Sequence, residues 1–287
     1  MPFRSNQPGR ARRSHLPTVT KTVTFSPFTR LEGDLLIQVD IEEARIVRSR
    51  ASGTLFRGFE AMLRGRDPLD AIVITCRVCG QCGLTHSAAA ADAIRSLLGV
   101  QMPRNAYLAI NVMLAIEAIV SHFTHFYLSF APDLAERPYN DRPAQGFLPM
   151  AGSSFARSLR EREVILGVLG LFAGKWPNSL AIQPGGTTRP VDASELRRAQ
   201  GLLTEYMRFI EEQVIGCEVE EWLALRSVSD LERWLGEGRH LESDLGVFIT
   251  LSLRHGLNGI GAWPARFLSS GGWRGPADEF WLKPGFQ

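Results

Sequence analysis

The chain has little cysteine, four residues in 287, too few for the disulfide framework that holds small secreted domains together. It also lacks an excess of either charge: 32 Lys and Arg stand against 30 Asp and Glu, and a formal net charge of +2 points away from nucleic acid as a partner. No uncharged apolar run of about 18 residues occurs, so no transmembrane segment is expected. No apolar stretch follows Arg10, Arg12 and Arg13, so the N-terminus does not read as a secretory signal and a cytoplasmic location is expected. Residues 1–21, with Pro2, Pro8, Gly9 and Pro17 among those arginines, read as a disordered basic tail. What remains is ordinary globular material, 45% hydrophobic and 22% charged, with enough chain to bury a core.

The patterning gives an α+β, mostly helical chain: an N-terminal β-hairpin or meander over residues 22–56, then a long-helix bundle over 57–287. Leu35 to Ile41 is rich in β-branched and apolar residues, Gly33-Asp34 precedes it, and Glu42-Glu43-Ala44-Arg45 makes a polar turn. A short helix is expected from Arg57 to Leu63, closed by Gly65 and Asp67-Pro68. An alanine-rich helix runs from Thr85 to Leu98 with Gly99 just past its end, and Pro103 opens a long buried helix reaching Phe130. Residues 132–149 hold four prolines and read as a long surface connection. Helical periodicity returns over 155–172, 193–213, 219–225, 228–235 and 244–257, with a Pro184-Gly185-Gly186 loop between the first two.

Three of the four cysteines fall within seven positions, in Thr75-Cys76-Arg77-Val78-Cys79-Gly80-Gln81-Cys82-Gly83-Leu84-Thr85-His86. Two residues separate Cys79 from Cys82, so a turn through Gly80 can aim both sulfurs at one ion, and His86 lies one helical turn beyond Cys82. Soft thiolates select zinc, copper(I), nickel or iron-sulfur centres, and the following helix N-terminus favours the thiolate anion. The spacing leaves several chemistries open. Cys79, Cys82, His86 and a distant group such as Cys217 could close a zinc site, and Cys76, Cys79, Cys82 and Cys217 could hold an iron-sulfur cluster. A redox dithiol, a catalytic half-site or plain buried thiols use the same residues.

The neighbours of the cluster go further. Arg77, Cys79, Gly80, Cys82 and His86 fill the pattern Arg-x-Cys-Gly-x-Cys-x-x-x-His, and the chain here resembles the large subunit of nickel-iron hydrogenases. Thr29-Arg30-Leu31-Glu32-Gly33, the stretch Gly53 to Glu60 and Gly65-Arg66-Asp67-Pro68 carry the resemblance upstream; His125-Phe126-Tyr127 and Pro184-Gly185-Gly186 carry it downstream. The resemblance implies that Cys79 is a terminal nickel thiolate and that Cys82 bridges nickel to an iron bearing carbon monoxide and cyanide. His86 would donate a hydrogen bond to the bridging sulfur, and Arg77 would be a supporting cation. Glu32 would take the proton when hydrogen is split, and Glu60 would be an oxygen ligand of magnesium. Implied partners are a small subunit carrying iron-sulfur clusters, docked on an apolar face, and the maturation proteins that build the centre.

The resemblance also breaks. Large subunits complete the site with Asp-Pro-Cys-x-x-Cys-x-x-His near their C-terminus; this sequence has no such motif, and Cys217 has no second cysteine three residues away. The expectation is a truncated or split large-subunit portion, inactive alone and completed by a C-terminal large-subunit fragment. The alternative is a non-catalytic assembly scaffold or degenerate paralogue that carries an iron-carbonyl-cyanide precursor. A structural zinc module is a third reading of the same cysteines.

Overall fold

The computed structural model of the chain describes residues 20–28, 31, 33–261, 268–269 and 285–286. The basic tail lies outside the described residues up to Val19, and Lys21 already belongs to a strand. The chain divides after Gly58 into two compact units.

The first unit is a three-stranded antiparallel meander, β1 (Lys21–Phe28), β2 (Leu35–Glu42) and β3 (Arg45–Gly53), with β2 in the middle. Its β2–β3 turn is tight: Glu42 pairs with Arg45, and both intervening residues have positive φ, 47° at Glu43 and 61° at Ala44. That backbone matches the right-handed twist of the flanking strands, which is why a two-residue hairpin adopts it even without Asn-Gly. Threonines of β1 bond across to β2: Thr22 Oγ1 donates to Asp40 Oδ1 at 2.7 Å, and Thr24 Oγ1 accepts from Gln38 Nε2 at 3.5 Å. Phe25, Phe28, Ile46, Val47, Leu55 and Phe56 are all exposed.

The second unit is helical. It opens with α1 (Phe59–Leu63), α2 (Asp70–Thr75), α3 (Gly83–Leu98), α4 (Arg104–Thr124) and α5 (Ala131–Ala135). The chain then forms α6 (Ser153–Ala173), the two-residue strands β4 (Ile182–Gln183) and β5 (Gly186–Thr187), α7 (Ala193–Phe209), α8 (Val219–Ala224), α9 (Val228–Gly236) and α10 (Asp244–Arg254). Helix α4 packs on α3 and α6, and α6 packs on α7. The buried stripe of α4, Ile110, Met113, Ile116, Val120 and Thr124, follows the three-and-four spacing of a core-facing helix. It joins Leu84 from α3, Ile165 and Leu169 from α6 and Phe209 from α7 in one core.

Several expectations need correction. The long helix does not run as a single α-helix to Phe130: residues His125–Phe130 widen into a π-helical turn, and α7 likewise ends in one at Ile210–Ile215. The proline-rich residues 132–149 are not a surface connection, because Pro132 sits at the start of α5 and Leu134, Ala135, Ala144 and Phe147 are buried. Proline suits a first helical turn, where its missing N–H would have no partner. Helix α2 was not expected; its Ala71-Ile72-Val73-Ile74 run is short and β-branched, and only packing on α1 and α3 makes it helical. Pro184-Gly185 is the turn of a small hairpin whose second strand opens at Gly186. Averaged over a window, the stretch Arg104–Ala135 reaches a mean hydropathy of 1.6, long and apolar enough by composition to cross a membrane, although no uncharged run of that length exists. Here it is used as the central core helix.

Both π-helical turns meet one buried carboxylate. Asp244, in the first turn of α10, accepts Tyr127 Oη at 2.7 Å and Ser154 Oγ at 2.7 Å, and Gln213 bonds to it as well. Tyr127 comes from the first π turn and Gln213 from the second. Burial pushes the Asp244 carboxyl above the ordinary aspartate range, against the opposite pull of its three hydrogen bonds. Burial, then the nearby carboxylate, raises the Tyr127 hydroxyl as well, so it stays neutral at all moderate pH. A carboxyl raised in the folded state binds its proton more tightly there than in the unfolded chain. Its stabilising contribution is therefore complete below about pH 4 and lost as pH rises through the folded value. Urea midpoints between pH 4 and 8 should show the wild-type chain losing ground steadily against Asp244→Asn. Parallel pH profiles for the two would contradict this account.

Candidate metal-binding loop

The cysteine loop occupies the junction between α2 and α3. Helix α2 ends at Thr75, and Cys76 follows, fully buried, with its thiol donating to the Val73 carbonyl at 3.2 Å. Arg77 donates from Nη1 to the same carbonyl and to Cys76 Sγ, the latter at 3.4 Å. Its guanidinium thus covers the C-terminal end of α2, where a cation is favoured by the helix dipole. The role expected for Arg77, a supporting cation beside the loop, is compatible with this placement.

Cys79 and Cys82 are half-buried, and they differ from Cys76 in what surrounds the sulfur. Cys79 Sγ accepts the backbone N–H of Gln81 at 3.4 Å and of Cys82 at 3.3 Å. Two N–H donors thus point at one sulfur of the loop. Cys82 is the N-cap of α3 and offers no side-chain cap to it. Gly83 then passes so close to α2 that a Cβ there would lie 2.8 Å from the Cys76 carbonyl oxygen, so only glycine lets the loop close back on itself. His86 is half-buried one turn into α3, and its N–H bonds the Cys82 carbonyl at 3.2 Å.

A residue not singled out from the sequence completes this junction. Glu117 of α4 is 1% exposed, and its carboxylate accepts Leu84 N–H at 2.9 Å, Thr85 N–H at 2.8 Å and Thr85 Oγ1 at 2.8 Å. Trp176 Nε1 donates to it from a further side at 3.1 Å. Helix α3 therefore has its cap supplied by another helix. A buried carboxylate is tolerable only with such a donor set, and leaving one without its partners typically costs about 3–5 kcal/mol. The signal in the sequence was an acid on the otherwise apolar stripe of α4.

The other expected site residues stand differently. Glu60 is exposed on α1, and Glu32 lies outside the described residues. Among the described residues, the group of three ligating side chains with ligand atoms within 4.8 Å of one another is Glu211, Glu218 and Glu220, so Cys76, Cys79, Cys82 and His86 do not form a preassembled three-ligand site. Cys217 is buried elsewhere, with Trp234 Nε1 donating to its sulfur at 3.4 Å. The four-ligand zinc and iron-sulfur sets are therefore not assembled, because Cys76 is turned into the end of α2 and Cys217 into a tryptophan contact. The loop leaves Cys79 and Cys82 as two half-buried free thiols, soft donors of the type that could hold nickel or iron.

Residues 57–137 match the family model of nickel-dependent hydrogenases. The chain is 28% identical over 212 residues to the periplasmic [NiFeSe] hydrogenase large subunit of Desulfomicrobium baculatum, covering 67% of this chain and 41% of that protein. It is 38% identical over 115 residues to the hydrogenase-2 large chain of Escherichia coli K12, covering 40% of this chain and 20% of that one. The fold is that of the Ni-Fe-Se hydrogenase from D. vulgaris Hildenborough, with a TM-score of 0.71 at 23% identity over 94% of this chain and 53% of that chain. The chain thus spans less than half the length of these curated relatives.

The close approach at Gly83 makes a direct prediction. Gly83→Ala forces backbone to move and is expected to lower stability by about 1–3 kcal/mol, read as a fall in the urea midpoint. An unchanged midpoint would show that the α2–α3 junction yields without cost.

Proposed function

We propose that this chain, related to nickel-iron hydrogenase large subunits and matching the nickel-dependent hydrogenase family over residues 57–137, is the portion of such a subunit that supplies the first two thiolates of a nickel-iron centre. The observation that carries this reading is the pair Cys79 and Cys82 at the capped start of α3, one sulfur already held by two N–H donors and, among the described residues, no third ligand gathered beside them. A closed structural site would show its other donors in place. A half-site is what one portion of a shared centre presents.

In this reading Cys79 and Cys82 would hold a nickel-iron centre through their thiolates, and its iron would carry carbon monoxide and cyanide. The centre, when bound, supplies the splitting of dihydrogen into a proton and a hydride equivalent. Glu32 accepts the proton on its carboxylate, a role that needs a carboxyl near the metal with a suitable pKa. His86 donates a ring N–H to the Cys82 sulfur and so adjusts its donor strength, and Arg77 holds the end of α2 against the loop. Glu60 provides an oxygen donor for a magnesium ion, a hard cation that prefers carboxylates and water. The remaining thiolates come from large-subunit sequence that bears the second cysteine motif, which residues 1–287 do not contain, so these residues by themselves give no turnover.

Electrons leave through a small subunit holding iron-sulfur clusters, which makes the working form a heterodimer. Its docking face draws on the apolar residues exposed along the first unit, Phe25, Phe28, Ile46 and Val47 among them. Maturation proteins insert the iron with its diatomic ligands, and the reading places the assembly in the cytoplasm. A second reading has one observation in its favour: two thiolates without further donors are also what a scaffold for an iron-carbonyl-cyanide precursor needs. Nickel separates the two.

The test is metal analysis with infrared spectroscopy on the chain purified without oxygen from a host with the maturation machinery, alone and with a fragment bearing the second cysteine motif. Iron with carbon monoxide and cyanide bands is expected, with nickel joining when the fragment is added, and both should vanish in Cys79→Ser and Cys82→Ser. Iron without nickel under every condition would favour the scaffold. Zinc alone, unaffected by the fragment, would overturn both.

A further inference from the structure

We infer that Glu117 is the positioning residue of the cysteine loop: its buried carboxylate, on α4, takes the place of the missing side-chain cap of α3 and fixes where Cys79 and Cys82 present their sulfurs. The inference rests on the reading of Cys79 and Cys82 as metal ligands. It follows from accounting for the N–H groups of the loop one by one. Gln81 and Cys82 donate to Cys79 Sγ, Leu84 and Thr85 donate to Glu117, and His86 donates back to the Cys82 carbonyl. The helix start is thus held between two acceptors, the sulfur of a ligand on one side and a carboxylate from a different helix on the other. Cys82, the N-cap at φ −123° and ψ 34°, makes no side-chain cap of its own, so beside its own backbone bonds to Cys79 Sγ and from His86 the first turn of α3 takes its capping acceptor from Glu117.

A carboxylate does here what an amide could not. The contacts to Leu84 and Thr85 use different oxygens, Oε1 and Oε2, and each oxygen has a second donor, Trp176 Nε1 on the first and Thr85 Oγ1 on the second. Glutamine would turn an N–H toward one of these pairs of donors. The negative charge also suits the positive end of the α3 dipole. Glu117 is itself braced from behind, since the Arg162 guanidinium lies 5.3 Å from the centre of the Trp176 ring and Arg162 Nε donates to Thr124 Oγ1 at 3.1 Å. The brace runs from α6 through Trp176 to Glu117 on α4 and so to the first turn of α3. On the opposite side Gly83 touches the Cys76 carbonyl, so the loop cannot retreat toward α2. Groups that orient metal ligands typically change affinity about 10–100-fold when removed.

The experiment compares the reduced full-length chain with Glu117→Gln and with Leu251→Ala, a core truncation in α10, using cadmium as the probe ion and its thiolate charge-transfer absorption as the signal. Amide hydrogen exchange at Leu84 and Thr85 is followed in parallel. The expected result is that E117Q binds cadmium at least about tenfold more weakly and exchanges faster at these two amides, while L251A keeps wild-type affinity at a comparable loss of stability. Equal weakening in E117Q and L251A would reduce Glu117 to a packing residue and overturn the proposal. If E117Q does not fold, Thr85→Val removes one donor from the same carboxylate, and it must weaken binding more than L251A or the proposal falls. A different outcome, no thiolate absorption in the wild type or none lost in Cys79→Ser, would sink the reading of the cysteines as ligands. Slow exchange at Leu84 and Thr85 in that wild type, lost in E117Q, would still show that Glu117 orders the loop.

Discussion

A single buried carboxylate ties the core of the helical unit to its reactive loop. Glu117 lies on the stripe of α4 that packs into the core, yet it ends in an anion with almost no solvent access. Such a group is stable only if every oxygen finds donors. It finds them in Leu84, Thr85 and Trp176, and the first two are the N–H groups that an α-helix start leaves without partners. Two costs cancel in one contact: the carboxylate is satisfied by the helix start, and the helix start by the carboxylate. The sulfurs of Cys79 and Cys82 inherit their placement from that exchange.

The same logic operates at the other end of α4. There the helix widens into a π turn at His125–Phe130, and α7 does so at Ile210–Ile215. Wide turns give up good helical hydrogen-bond geometry and persist where surrounding contacts hold them. The contact here is Asp244, which draws Tyr127 from one turn and Gln213 from the other, with Ser154 of α6 completing the set. The rings of Phe126, Phe147 and Phe209 pack against that of Tyr127, and Asp244 itself is buried. One carboxylate therefore organises the loop end of α4 and a second organises its far end, with the apolar stripe between them.

Legibility followed the range of the interactions. The motif Arg77, Cys79, Gly80, Cys82 and His86 is local, and its spacing pointed to metal or redox chemistry at a helix start while leaving zinc, iron-sulfur and half-site readings open. The meander over residues 22–56 and the helices α3, α4 and α6 to α10 followed from alternation, three-and-four spacing, and Gly99 as a stop at φ 66°. Helix α2 was missed because its β-branched run favours a strand when read alone, and only α1 and α3 around it decide otherwise. The proline-rich residues 132–149 were misread because proline marks the start of a short helix as readily as it marks a loop. Glu117 left a trace, an acid where the period demands an apolar residue, but which donors would meet it 33 residues back could not be read from that trace.

The sequence by itself determined which chemistry is on offer. Soft thiolates at a two-residue separation, with glycine between them and a helix after them, are fixed by residue type and spacing, and both are properties of a short stretch of chain. Tertiary structure decided which of those groups are available. It turned Cys76 into the end of α2, gave Cys217 to Trp234, left Cys79 and Cys82 at the loop, and brought Glu117 to cap the helix that begins there. The reason is physical: burial and hydrogen-bond satisfaction are settled between segments far apart in sequence, where no local pattern can fix which donor meets which acceptor.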